Sequence, residues 1–90
     1  MAQFNNTIYS NAKLLVDYLK EKAAGKTFKM KGSLIYSHGK MVKIKVTNIR
    51  EGYPGTVFPS VDFIATFSDG YKAEYNTLAH GFYADHYQEF

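Results

Sequence analysis

Hydrophobic residues recur along this chain with two different periods. In residues 8–24 the apolar positions Ile8, Ala12, Leu15, Leu19 and Ala23 are spaced by three and four, the stripe of an amphipathic helix. Leu14 and Tyr18 widen the stripe. Lys13, Asp17, Lys20, Glu21 and Ala24 lie off it, with Lys13–Asp17 and Asp17–Lys20 close enough to interact. Thr7 or Ser10 is expected to cap the start and Gly25 the end. Such a helix covers a core, and nothing in it points to chemistry.

Beyond residue 27 the period drops to two. Phe28-Lys29-Met30-Lys31 and Val42-Lys43-Ile44-Lys45-Val46 alternate apolar with basic, as half-buried strands do. Between them, Tyr36-Ser37-His38-Gly39-Lys40 has Gly at the third loop position, which suits a three-residue hairpin loop. That loop predicts a hairpin over residues 27–49 in which Leu34 faces Val42, Gly32 faces Ile44 and Met30 faces Val46. Its other face pairs Lys31 with Lys45 and Ser33 with Lys43, and sets Lys29 opposite Thr47. Like charges directly opposite cost a few tenths to ~1 kcal/mol. A bound anion would reverse that sign.

Gly52, Pro54, Gly55 and Pro59 mark residues 51–60 as a loop, one that carries the large groups Tyr53, Val57 and Phe58. A second hairpin follows over residues 61–75. A two-residue turn there would set Phe67 against Lys72 and scramble the faces. A three-residue loop, Ser68-Asp69-Gly70, pairs Phe67 with Tyr71, Ala65 with Ala73 and Phe63 with Tyr75, and gathers the aromatics on one side. The tail, residues 76–90, holds Phe82, Tyr83, Tyr87 and Phe90 around Gly81. It fits a last strand over residues 82–87 or a short helix. The predicted fold is α+β: one domain over residues 1–90, with an N-terminal helix on a curled antiparallel sheet of four or five strands. A strongly curled version is a small SH3-like barrel.

Composition narrows the class. At 46% hydrophobic and 17% aromatic, the chain can fill a core and is not of the disordered type. It has no Cys, which excludes a disulfide framework and any thiolate metal site and fits a reducing compartment. No basic segment followed by an apolar run stands near Met1, and the longest apolar run is far too short for a membrane span. The expectation is a cytoplasmic protein without a membrane association.

Enzyme motifs are scarce. His80, Asp85 and His86 lie near Tyr83 and Tyr87, and on a strand the two imidazoles would share a face. That would be the acid–base pair of a small metal-independent ribonuclease. The spacing makes a poor metal site, and no nucleophile, paired carboxylate or phosphate loop accompanies it. The glycines form neither a dinucleotide fingerprint nor a P-loop. No cofactor or metal is expected, and the reading is of a non-catalytic protein.

Charge distribution changes the picture more. Residues 1–50 hold ten basic residues against Asp17 and Glu21, a net of +8; residues 51–90 hold Lys72 against six acids, a net of −5. From Lys22 to Arg50 there is no acidic residue at all. Such asymmetry points to a polyanionic partner. On the predicted hairpin, Lys29, Lys31, Lys43 and Lys45 would contact phosphates, with Lys40 and Arg50 at the rim and Tyr36 or Tyr53 stacking on bases. RNA or a single strand is favoured over a duplex. The alternatives are an acidic protein surface bound by the same face, or a homo-oligomer in which the basic hairpin of one copy meets the acidic half of another. The opening Met-Ala-Gln-Phe-Asn-Asn-Thr-Ile-Tyr and the Lys-, Tyr-, Phe- and Asn-rich composition without Cys or Trp resemble small accessory proteins of large tailed phages. That resemblance implies host-takeover or counter-defence by stoichiometric binding of a host factor or its nucleic acid, as an inhibitor and not a catalyst.

Overall fold

Two helices stand where the stripe predicts one. The Asn5 side chain accepts hydrogen bonds from the backbone N–H groups of Thr7 (2.9 Å) and Ile8 (3.1 Å) and starts α1, Asn6–Tyr9. Asn11 does the same for Leu14 at 3.1 Å and starts α2, Ala12–Lys22. Asn is a strong N-cap, and the second cap resets the helical phase. Leu15, Val16, Leu19 and Ala23 are buried, while Ala12 is exposed and Ile8 half-buried. The continuous helix over residues 8–24, capped by Thr7 or Ser10, is corrected accordingly. The computed structural model describes residues 3–30, 35–52 and 58–90, with backbone alone at 35 and 36.

At Gly25 (φ +75°) the chain turns into the sheet, its N–H donating to the Val46 carbonyl at 3.0 Å. The strands are β1 Thr27–Lys29, β2 Ile35–Tyr36, β3 Gly39–Arg50, β4 Ser60–Phe67 and β5 Lys72–Leu78. Their order is β1-β3-β4-β5, all antiparallel, with β2 also paired to β3. Register shifts at Met41/Lys43 and Val46/Asn48 are bulges that bend β3. The sheet curls but stays open, with β1 and β5 as its outer strands. The α+β architecture holds; among the described residues the sheet does not close into an SH3-like barrel.

The two hairpins differ in how they meet expectation. In the second, Phe63 faces Tyr75 and Ala65 faces Ala73, and Phe67 donates its N–H to the Tyr71 carbonyl at 2.8 Å. The loop is Ser68-Asp69-Gly70, with Gly70 at φ +91°. In the first, Tyr36 faces Gly39, so the loop is Ser37-His38, one residue shorter than predicted. Thr27, Phe28 and Lys29 face Lys45, Ile44 and Lys43, in place of the predicted Met30–Val46 and Lys29–Thr47. Residues 31–34, which carry the rest of that prediction, lie outside the described residues.

Tertiary contacts account for the shift. Setting Phe28 on Ile44 buries its ring to 8% exposure and packs it against Phe90 at 5.4 Å between centroids. The two turns also dock on each other. Ser68 donates its N–H to the Lys40 carbonyl at 2.8 Å, and its hydroxyl accepts the Lys40 N–H at 3.0 Å. Gly39 (φ +91°) permits this approach, because a Cβ there would run into the Ser68 hydroxyl. Val42, expected in the core, sits at a bulge and is 39% exposed.

The tail is helical: α3 spans Ala79–His86 and a 3₁₀ turn Tyr87–Glu89. Phe82 and Tyr83 are 2% and 1% exposed, among the largest buried side chains. The Tyr83 hydroxyl accepts the Asn5 N–H at 2.9 Å, and its ring meets Tyr18 edge-on at 5.7 Å. Phe90 rests on Phe28, Phe82 and Tyr18. Each such ring contributes about 1.5–3 kcal/mol by leaving water. α2 and α3 therefore cover one face of the sheet, and among the described residues no helix covers the other. Among the described residues, no helix is long and apolar enough to cross a membrane.

Candidate functional site

The strand register lays the free face out in rows. Lys29, Lys43, Thr66 and Lys72 form one row across β1, β3, β4 and β5. Thr27, Lys45, Ile64 and Glu74 form the next, and Asn48, Asp62 and Asn76 a third. Side chains alternate along a strand, so these rows stand opposite the buried Ile44, Val46, Val61 and Ala65. At about 4.8 Å per strand the first row is about 14 Å wide. Lys29, Lys43, Lys45 and Lys72 are exposed, and among the described residues none of them has a carboxylate within 4.0 Å.

The predicted site residues fare unequally. Lys29, Lys43 and Lys45 come together, with Lys29 and Lys43 directly opposite. Lys40 lies at the docked turns, its side chain exposed and its backbone engaged with Ser68. Arg50 is not a free rim cation. Its Nε donates to Asp62 Oδ2 at 2.7 Å, and Asn76 Nδ2 donates to Asp62 Oδ1 at 2.7 Å. These two bonds hold the Asp62 carboxyl below its ordinary range, Arg50 first, and Asp62 raises the guanidinium in turn. Lys31, Tyr53 and the side chain of Tyr36 lie outside the described residues. Lys72 was not anticipated. Its place in the row follows from pairing Thr66 with both Lys43 and Lys72, and the first of those pairings joins strands from different hairpins.

The folded chain also rearranges the charge asymmetry. Lys20 meets Glu51 at 2.8 Å, Arg50 meets Asp62 at 2.7 Å and His38 meets Asp69 at 2.9 Å. Each pair joins the basic half to the acidic half of the same molecule. The Lys20 hydrogen bond lowers the Glu51 carboxyl; the Tyr71 backbone N–H, then His38, lower that of Asp69. Three of the carboxylates that a second copy's basic hairpin was expected to meet are thus engaged internally. Lys20 pairs here with Glu51, in place of Asp17.

His80 and His86 lie on α3, not on a strand. Six residues along a helix leave them about 120° apart around its axis, so the shared face of the ribonuclease reading does not form. His80 packs against Tyr9 and Phe58 (ring centroids 5.5 and 6.5 Å), and His86 against Phe82, with Nδ1 3.4 Å from Glu89 Oε2. No group of three His, Cys, Asp or Glu residues among those described is arranged to hold a metal ion. No family model, curated protein or solved structure matches the chain.

Proposed function

We propose that this chain binds nucleic acid without catalysis, drawing the phosphates of a single strand, RNA foremost, along the open face of its sheet. The observation that carries this reading is the group of adjacent, exposed lysines Lys29, Lys43 and Lys45, none of them ion-paired among the described residues. Lysines so placed repel one another and gain when an anion sits between them. The sheet's breadth favours a single strand. A duplex major groove, about 12 Å wide, admits a helix or a two-stranded ribbon, whereas this face spans four strands and suits a strand draped across it. Among the described residues the face carries no aromatic ring, and Ile64 is its apolar centre. Binding therefore rests on phosphates and tolerates sequence change. A cytoplasmic role goes with that partner, and so does the stoichiometric action implied by the resemblance to phage accessory proteins.

Fluorescence anisotropy with a labelled RNA oligonucleotide tests this directly. Three phosphate contacts give a slope of about −2 in log affinity against log salt, and Lys43→Ala lowers its magnitude by about 0.7. If the triple variant Lys29→Ala, Lys43→Ala, Lys45→Ala folds and binds RNA as tightly as the parent, the reading is wrong.

A further inference from the structure

We propose that β5 is a docking edge for a second copy of the chain, paired antiparallel to its own counterpart in a register centred on Ala73. Three observations converge on this.

The first is an unblunted edge. β5 is seven residues long, and its pairing with β4 has no register shift. It contains no Pro and points no charge toward the helices, so of the usual devices against strand addition it keeps only the charges at Lys72 and Glu74. The opposite edge strand, β1, is only three residues long and includes Lys29.

The second is the phase of its free backbone groups. The Phe67 N–H donates to the Tyr71 carbonyl while the Tyr71 N–H donates to Asp69 Oδ1, and the first of these bonds sets the hydrogen-bonding phase of the hairpin. Alternation then turns Tyr71, Ala73, Tyr75 and Thr77 toward β4 and aims the N–H and C=O of Lys72, Glu74 and Asn76 outward. Among the described residues no other strand pairs with that side.

The third is complementarity of the edge with its own inverted copy. Centred on Ala73, the two-fold sets Lys72 opposite the partner's Glu74, and Glu74 opposite the partner's Lys72. Both positions are outward-facing, so these are the hydrogen-bonded pairs and give four main-chain bonds across the seam. Neither Lys72 nor Glu74 has an ion-pair partner among the described residues. On the other face the same register sets Tyr71 against the partner's Tyr75, twice. These rings are 46% and 41% exposed, and they meet at a non-hydrogen-bonded position, where cross-strand side chains lie closest. A register centred on Glu74 would oppose two carboxylates. One centred on Tyr75 leaves both charges without an opposite partner. A two-fold dimer of this kind joins two four-strand sheets into one and keeps Lys29, Lys43 and Lys45 of both copies on a common open face.

The chain has no Cys, so single cysteines report the register cleanly. Ala73→Cys should cross-link into a covalent dimer under mild oxidation, because non-hydrogen-bonded partners lie about 4.5 Å apart between Cα atoms, within the 4.4–6.8 Å that a disulfide spans. Thr77→Cys, on the same face, should not. Sedimentation of the unmodified protein should show a dimer that Lys72→Glu or Glu74→Lys weakens roughly 10- to 30-fold, by turning two attractive pairs repulsive. The double exchange Lys72→Glu, Glu74→Lys should restore it, an outcome that general damage to the fold does not produce. A monomer at every concentration overturns the proposal. So does faster cross-linking of Tyr75→Cys than of Ala73→Cys, or a double exchange no tighter than the single variants.

Discussion

The two faces of this sheet are built from the same strands and do opposite things with large side chains. The helix-covered face gathers rings: Phe28, Phe67, Phe82 and Tyr83 are buried, with Phe63 and Phe90 packed against them. Among the described residues the open face has one large apolar residue at its centre, Ile64, among lysines, threonines, amides and the carboxylates of Glu74 and Asp62. Period-two alternation produces both at once, since each residue added to a strand switches sides. Stability and the proposed binding are therefore separable by parity, and substitutions one residue apart should act on different properties.

The largest expected effect lies on the covered face. Phe82→Ala removes a ring packed between Phe63 at 6.3 Å and Phe90 at 6.0 Å, and should cost about 3–5 kcal/mol by the usual range for buried aromatics. That is a large part of the 5–15 kcal/mol available to a small domain. Urea unfolding should show the midpoint collapse, whereas Lys43→Ala, on the other face, should move it by no more than about 0.5 kcal/mol. Equal losses for the two would break the separation.

A smaller effect comes where the faces' roles overlap, at Asp62. This carboxylate stands in a row of the open face, yet it is only 8% exposed because Arg50 and Asn76 close over it. Asp62→Asn should cost about 1–2 kcal/mol by weakening charge-assisted hydrogen bonds. It should also free Arg50 and tighten RNA binding. Stability and affinity thus move in opposite directions in one variant. A parallel loss of both would show Arg50 to be a structural cation alone.

How much of this was legible in the sequence depends on whether local chemistry decides the geometry. The second hairpin was readable because turn and face agree: the loop Ser68-Asp69-Gly70 is the one that aligns Phe63 with Tyr75. In the first hairpin the decisive contacts are distant. Phe28 is drawn onto Ile44 under Phe90, sixty-two residues away, and Gly39 is shaped by Ser68 in the other turn. Periodicity carries no information on such contacts. The break between α1 and α2 has a local cause, the Asn5 and Asn11 caps, which the apolar spacing of residues 8–24 does not register. At the candidate site, Lys29, Lys43 and Lys45 were visible as an acid-free alternating run. The loss of Arg50 to Asp62 was not visible, because it needs the pairing of β3 with β4.

That pairing also recasts the charge asymmetry, and pH exposes the difference. If the acidic half were a free surface, its carboxylates would titrate alike folded and unfolded, and protonating them would leave stability unchanged. Instead the Asp62, Glu51 and Asp69 carboxyls are all held low in the folded state, by Arg50, by Lys20, and by the Tyr71 N–H with His38. A depressed carboxyl contributes stability that is fully present above its unfolded pKa, near 4, and is lost as pH falls through the folded value. The melting temperature should therefore hold level from about pH 7 to 5 and fall below about pH 4. Glu51 and Asp69 are exposed, so added salt should weaken their share of the drop. The share of Asp62, at 12% side-chain exposure, should resist salt and disappear in Asp62→Asn. An acid limb identical in the parent and in Asp62→Asn would mean that the pair joining the two halves carries no stability, and that the open face owes nothing to it.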